Sequence, residues 1–219
     1  MSTTSEHALK RADISALWFF IAAGVAFAGL ITGKSVQRII EVLPNKNVSV
    51  PAWFVDTMAN APIGPEGTDV AVQLDRAILL VPEVQQIVLW TIVIQEVLLI
   101  LTVVVVTASL VWLTRNIMRG TFFSRTNTVL IAVAGGVGLV GYAAVPFFGN
   151  MAANGAFAVL SDYTFDNALI TIDPFTFIVI AFFVALLGTI FSIGERMQPY
   201  SRRREPPRTR LAPLHQTRR

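Results

Sequence analysis

Glu96 is the only residue with a formal charge inside any of the long apolar runs of this chain, and Gln95 stands directly before it. A carboxylate in such a run is costly and by default marks a proton or ion path. Thr102 and Ser109 follow Gln95 at intervals of seven residues, which places the three polar groups on one helical face, with Thr107 nearby. We therefore consider two roles for Glu96: a structural role near the end of a helix, and a functional role in solute movement.

The segment GVGLVG at Gly136–Gly141 fits the glycine pattern of dinucleotide-binding proteins. That chemistry needs the glycines at a turn from a strand into a helix, with the pyrophosphate on the helix N-terminus. Pro146 is predicted to break a helix starting here almost at once, and the segment carries no charge. We interpret these glycines as small residues that let membrane helices approach closely. Small residues share a helical face at Ala134, Gly138 and Gly141, and again at Ala181, Ala185 and Gly188.

The residue types of this chain give little support for a catalytic site or a metal site. The chain has no cysteine, and its two histidines, His7 and His215, lie in polar tails. The acids between the first two apolar runs have no histidine or cysteine near them in sequence, so we interpret them as a solvated surface. These acids are Asp56, Glu66, Asp69 and Asp75. We expect no enzyme, no cofactor and no bound metal.

Four apolar runs are the elements that would carry these residues. Charged residues make up 14% of the 219 residues and hydrophobic residues 54%, whereas a soluble domain has about 25% charged residues. Because a membrane-crossing helix needs roughly 20 apolar residues, the runs predict an all-α membrane protein with four transmembrane helices and a small extracytoplasmic cap that contains β-structure. The predicted spans are Ile14–Gly33, Val88–Leu113, Thr128–Gly149 and Pro174–Gly194. The first run also resembles a signal peptide cleaved at Ala26-Phe27-Ala28, an alternative that stays open.

Positive charge is distributed unevenly between the two sides of these spans. Thirteen of the 17 Lys and Arg residues fall in the N-terminal tail, in Leu113–Asn127 and in the C-terminal region. The positive-inside rule therefore predicts that both termini and the segment LTRNIMRGTFFSRTN are cytoplasmic. We call residues 113–127 the arginine loop. Gly120 is its predicted helix C-cap and Ser124 its predicted N-cap.

The predicted organisation has three parts. These are a cytoplasmic tail at 1–13, a four-helix membrane domain at 14–198, and an Arg-rich cytoplasmic tail at 199–219 that we expect to be disordered. Inside the membrane domain, the cap comprises 34–87 and 150–173, and the cytoplasmic loop comprises 114–127. We expect the loop and the C-terminal tail to contact anionic lipid, because basic groups near a negative leaflet are attracted to it.

The cap has periodicities of its own. The first helix is predicted to continue past Gly33 until Pro44. Alternating apolar residues in Val48–Phe54 and Val70–Leu74 predict strands with one covered face, although a loosely ordered loop on the headgroups is the alternative. Further predictions are a loop at Asp56–Thr68, a strand at Asn167–Ile172, an N-cap at Asp173 before Pro174, and Pro82 in the first turn of the second helix.

The arginine loop and the end of the fourth span resemble a family pattern. RNIMRGTFFSRTN has a basic helix end, a glycine, a Phe-Ser pair and an asparagine before the third span. TIFSIGER at Thr189–Arg196 has a Phe-x-x-Gly stretch followed by charged residues. Both are similar to segments of a family of small bacterial membrane proteins, the domain of unknown function family numbered 2975. The matching loop positions are Arg119, Gly120, Phe123, Ser124, Arg125 and Asn127.

This resemblance covers most of residues 10–198 and implies the four-span architecture and a bacterial plasma membrane. It implies no activity, because the family has no established one. The chain departs from the family after Glu195, where an Arg-rich tail replaces an acidic segment. No role of the family's C-terminus is therefore carried over.

We expect a non-enzymatic plasma-membrane protein that acts through protein partners or as a homo-oligomer, in sensing, regulation or envelope maintenance. The alternative is a subunit of a small transporter or channel that uses the polar stripe of the second span. No nucleic-acid partner is expected, since the basic tail is tethered at the membrane. The candidate functional or packing positions are Gln95, Glu96, Arg119, Gly120, Phe123, Ser124 and Asn127.

Overall fold

The computed structural model describes residues 11–165 and 172–202. In chain order its elements are α1 (Arg11–Val42), β1 (Val48–Ala61), a 3₁₀ turn (Pro65–Gly67), β2 (Val70–Val81), α2 (Gln86–Met118), α3 (Arg125–Leu160) and α4 (Pro174–Arg202). Within the described residues four helices are long and apolar enough to cross a membrane, and each contains one predicted span. The predicted mostly helical chain with a small β-element is thus confirmed.

The ends of the predicted organisation are covered only in part. Helix α4 continues to Arg202, so the first residues of the tail predicted to be disordered are helical. The rest of that tail lies outside the described residues, as do residues 1–10 and most of the strand predicted at Asn167–Ile172.

The four helices form an open row. Helices α2 and α3 pack together, α1 lies beside α2, and α4 lies beside α3. Among the described residues, no Cα atom of α1 lies within 8 Å of α3 or α4, and none of α4 lies within 8 Å of α2. The arrangement is therefore not a closed four-helix bundle, in which the first and last helices would meet.

Glycines on α3 set its close approach to α2. A Cβ added at Gly141 would lie 2.3 Å from the Cγ2 of Thr102, and one at Gly155 would lie 2.3 Å from a methyl group of Val88. Gly141 ends the GVGLVG segment, which lies inside α3, so its helix-packing interpretation is confirmed. Helix α3 also approaches α4 closely, where Gly135 of α3 lies against the side chain of Val184 on α4.

The small residues of α4 do not all act as predicted. No atom lies within 4 Å of a Cβ built at Gly188, and Ala185 is exposed. The α3–α4 approach instead uses a glycine of α3 and the branched side chain of Val184 on α4. Branched side chains fill the space that a glycine leaves on the facing helix, so one small residue per contact is enough.

Helix α3 runs through Pro146, and the prediction that this proline breaks the helix is wrong. Its 36 residues span about 54 Å at ~1.5 Å per residue, well beyond a hydrocarbon core of about 30 Å. Proline removes one backbone hydrogen bond, but α3 is held against α2 on both sides of it, at Gly141 and at Gly155. The helix is therefore longer than one membrane crossing requires.

The strands form one long antiparallel hairpin, whose pairing runs from Val48↔Val81 to Ala61↔Val70. The predicted loop at Asp56–Thr68 is wrong over its first residues, because β1 continues to Ala61. The prolines and glycines of that stretch begin only at Pro62, whereas Asp56 lies in a bulge at a φ of 47° that aspartate tolerates.

The base of the hairpin packs on the C-terminal part of α3 and shares a buried cluster with residues near the start of α2. Val48, Val50, Ala52 and Val81 are buried against a cluster that includes Ala152, Ala156 and Phe157 of α3 and Val84, Val88 and Leu89 near the start of α2. The Phe54 ring meets Phe157 edge-on with centroids 5.1 Å apart. The ordered cap is therefore confirmed over the loosely ordered alternative.

The start of α2 is later than predicted, at Gln86 instead of near Pro82. The Asn45 side chain bonds both the N–H of Val84 (3.0 Å) and its carbonyl (2.9 Å), and the N–H of Asn47 donates to the Pro82 carbonyl at 2.9 Å. These bonds hold residues 82–85 in a non-helical conformation, and the helix begins directly after them. At the far end, α2 continues to Met118.

Asp173 caps α4 as predicted. Its carboxylate accepts the N–H groups of Phe175 (3.1 Å) and Thr176 (3.2 Å) and the Thr176 hydroxyl. The Thr176 hydroxyl, followed by its N–H, holds the pKa of Asp173 below its ordinary value of 3.8. The Asp173 carboxylate therefore stays charged at all but strongly acidic pH.

Gly141→Val should weaken the α2–α3 contact by about 1–3 kcal/mol, because the new side chain overlaps Thr102. The measurement is the thermal midpoint of the purified protein in detergent. Gly136→Val is the matched control, since no atom lies within 4 Å of a Cβ at Gly136. Equal midpoints for the two variants would contradict the glycine-mediated contact.

Candidate functional site

The polar stripe of α2 faces α3. The Gln95 amide nitrogen lies 3.0 Å from the Cβ position of Gly149, Thr102 fills the space beside Gly141, and Ser109 is buried. Two of the three stripe residues predicted from the sequence, Gln95 and Thr102, therefore lie in or beside the contact between α2 and α3.

Glu96 is half-buried beside Gln95 on α2. Within the described residues no hydrogen bond or ion pair joins its carboxylate to another side chain. The structure thus brings no cationic partner to it, and the choice between its structural and functional roles stays a prediction. Of these two polar residues, Gln95 is better placed to contact a bound group, because it also lines a cleft.

A cleft of about 260 Å³ lies where the hairpin meets α2 and α3. Its walls come from β1, β2 and both central helices, so it joins the cap to the helix pair. It is lined by Pro51, Trp53, Arg76, Gln95, Val145, Pro146, Gly149, Asn150 and Ala153. Sequence reasoning found only Gln95, since nothing in the strand pattern predicts that a hairpin folds back over α3.

Arg76 and Trp53 give the cleft its chemistry. They are cross-strand neighbours, and the guanidinium lies 4.9 Å from the Trp53 ring centroid. A cation over an indole is held by the ring quadrupole, so the positive charge is fixed at the cleft wall. With Gln95 also in its lining, the cleft can receive a small polar or anionic group. Among the described residues no group of three or more His, Cys, Asp or Glu could hold a metal ion.

The first half of the arginine loop closes α2 with a Schellman motif. Gly120 has a φ of 76°, its N–H donates to the Ile117 carbonyl at 2.9 Å, and the Thr121 N–H donates to the Asn116 carbonyl at 3.0 Å. The left-handed conformation costs glycine least. The predicted C-cap is confirmed.

The second half of the loop is built around Asn127, which is fully buried. Its side-chain amide donates to the carbonyls of Thr121 (2.7 Å) and Phe122 (2.8 Å), while its oxygen accepts from Asn116 at 2.7 Å. Its backbone N–H donates to the Ser124 hydroxyl at 3.3 Å, so the predicted N-cap is confirmed. Asn127 thus holds both helix ends, which is a structural role. Sequence reasoning missed Asn116, because a polar residue in the last turn of a helix carries no distinguishing signal.

The loop also holds α4. The Phe123 and Phe191 rings lie 5.5 Å apart, and a Cβ at Gly194 would lie 2.3 Å from the Phe123 ring. The Thr128 hydroxyl donates to Glu195 at 3.1 Å. The two segments that carry the family resemblance, distant in sequence, therefore meet at one end of the helix row.

Arginines surround an exposed tryptophan at the same end. Trp112 is 60% exposed and lies between a groove of about 450 Å³ lined with Arg115 and Arg119, and another of about 330 Å³ lined with Arg125. Within the described residues no acidic side chain forms an ion pair with these three arginines. Arg119 is the predicted site residue among them, and its backbone also caps α2.

Asn127→Ala should loosen the arginine loop, because two part-buried hydrogen bonds to the carbonyls of Thr121 and Phe122 are lost, at about 0.5–1.5 kcal/mol each. The measurement is the rate of limited trypsin cleavage after Arg119 and Arg125 in detergent, which should rise at least several-fold. Thr126→Ala, at an exposed neighbouring position, is the control. An unchanged cleavage rate in Asn127→Ala would show that the loop is held by other contacts.

Three comparisons bear on the identity of the chain. No family model, no curated protein and no solved structure matches it. Membership of the family that the loop and the TIFSIGER segment resemble therefore stays a prediction.

Proposed function

We propose that this chain is a multi-pass protein of the bacterial plasma membrane, non-enzymatic, with both termini in the cytoplasm. In this proposal the hairpin lies outside the membrane and acts through contacts with a protein partner, in sensing, regulation or envelope maintenance. The orientation is supported by the excess of Lys and Arg in the arginine loop and the tails. Family membership, as the sequence resemblance implies, would agree with this location.

The observation that carries the proposal is one exposed apolar face of the hairpin, which we call the outer hairpin face. On β2 it consists of every second residue, and their pairing partners supply the β1 side. Ile78 and Leu80 on this face are 67% and 69% exposed. The β2 residues of the face are the exposed Val70, Ile78 and Leu80, the half-buried Val72 and Leu74, and the exposed Arg76.

A face of this kind is typical of a protein contact. Contiguous exposed apolar surface outside a membrane span marks interaction sites, and tryptophan and arginine are enriched at their centres. Trp53 and Arg76 supply both residue types next to Ile78, and both also line the cleft. A partner on the outer hairpin face could therefore reach into the cleft.

The hairpin is fixed in place before any partner binds. Its base is buried on α2 and α3, and the Arg38 guanidinium of α1 donates to the Ser49 hydroxyl at 3.0 Å and to the Ser49 carbonyl. A surface that is already ordered loses less conformational entropy on binding. This favours a docking role for the hairpin.

The transport alternative has weaker support. The pathway proposed from the sequence is the stripe of Gln95, Thr102 and Ser109. Gln95 and Thr102 lie against glycines of α3 in the α2–α3 contact, and Ser109 is buried. Polar residues in membrane helices commonly serve such contacts. No observation among the described residues favours this alternative over a protein contact.

Orientation can be tested directly, because the chain has no native cysteine. Ile63→Cys at the hairpin tip should react with a membrane-impermeant maleimide in intact bacteria. Thr121→Cys in the arginine loop should react only after the membrane is opened. Both positions are exposed, so the two variants are matched for reactivity. Labelling of Thr121→Cys in intact cells would reverse the proposed topology.

The protein contact can be tested with a photo-crosslinking amino acid at position 78, on the outer hairpin face. Illumination of growing cells should give a discrete protein adduct. The matched control is position 75, which is exposed on the opposite face of the same strand. Identical adducts at both positions, or adducts of position 78 to lipid alone, would contradict the proposed docking surface.

A further inference from the structure

We propose that the arginine-loop end of the helix row binds one anionic lipid with two phosphates, of the diphosphatidylglycerol class, around Trp112. The two phosphates would occupy the two grooves that flank the indole, and the acyl chains would lie along α2 and α3. The inference rests on the proposed membrane location. It depends neither on the proposed protein contact nor on which way the chain faces.

The first groove joins two guanidiniums to an apolar wall. It is lined by Ala108, Val111, Trp112, Arg115 and Arg119. These positions are three or four residues apart along α2, so they share one helical face. Arg115 and Arg119 can therefore converge on one phosphate, while the residues one to two turns below them can contact an acyl chain.

The second groove lies on the other side of the same tryptophan. Arg125 and Thr126 form its polar end, and Val129 and Leu130 lie one turn further along α3. This groove has the same order of groups as the first, with cation and hydroxyl towards the loop and apolar side chains towards the span. The second groove, of about 330 Å³, offers a second phosphate position. A lipid with a single phosphate, bound by Arg115 and Arg119, would leave this position empty.

Charge at this end matches the proposed lipid. No residue lining either groove is acidic. The carboxylate of Glu195, on α4, accepts a hydrogen bond from Thr128. Basic pockets between membrane helices are suited to lipids that carry more than one negative charge.

The apolar parts of the grooves favour a lipid over free phosphate. Trp112 remains 60% exposed at the end of a membrane-spanning helix, where indoles settle at the headgroup level. Val111, Val129 and Leu130 would stay uncovered beneath a phosphate ion. Acyl chains would cover them.

The test is native mass spectrometry of the full chain, purified in detergent and titrated with one lipid at a time. The lipids are tetraoleoyl diphosphatidylglycerol, dioleoyl phosphatidylglycerol and dioleoyl phosphatidylcholine. The expected result is one diphosphatidylglycerol per chain, bound about tenfold or more tightly than phosphatidylglycerol, with no retained phosphatidylcholine.

Three variants locate the site. Arg115→Gln with Arg119→Gln, and separately Arg125→Gln, should each weaken diphosphatidylglycerol binding by about tenfold. Arg196→Gln is the matched control, since Arg196 is an exposed arginine at the same end of the row and lines neither groove. The thermal midpoint of each variant without lipid shows that it is folded.

Several outcomes would overturn the proposal. Two phosphatidylglycerols bound as tightly as one diphosphatidylglycerol would show two separate single-phosphate sites. Equal losses in Arg196→Gln and in the groove variants would show attraction by net charge alone. If lipid binding fails while position 78 still cross-links to a protein, the proposed function stands and this inference does not.

Discussion

Glycines on α3 let its backbone come close to α2, and the other elements attach to this pair. In a bilayer the surroundings are as apolar as the helices, so association depends on close packing instead of burial from water. Gly141 and Gly155 supply that closeness at two levels. Helix α1 then rests on α2, α4 rests on α3, the hairpin lies across one end of the pair, and the arginine loop joins the other.

Much of the fold could be predicted because the signals are local. Apolar run length gives the four helices, and alternation gives the strands. Three helix caps could be predicted from residue type and position alone: Gly120, Ser124 and Asp173. These features depend on a few neighbouring residues, so sequence alone carries them.

The remaining features depend on contacts between distant residues. The sequence predicts that Pro146 breaks the helix, because it does not show that α2 holds α3 on both sides of the proline. The cleft around Arg76 forms only because the hairpin folds over α3, and no local sequence pattern predicts this contact. Asn127 was singled out from the loop pattern, but its burial and its bond to Asn116 follow only from the meeting of two helix ends.

The position of the hairpin in the chain affects how the protein is made. Both strands are synthesised before α2, yet their packing surface includes Ala152, Ala156 and Phe157, which come more than 70 residues after the end of β2. At roughly 5–20 residues per second, the strands wait several seconds or longer for that surface. During this interval Val48, Val50 and Val81, which are later buried, lack the α3 part of their packing surface. The hairpin is therefore open to aggregation and proteolysis until α3 has been made.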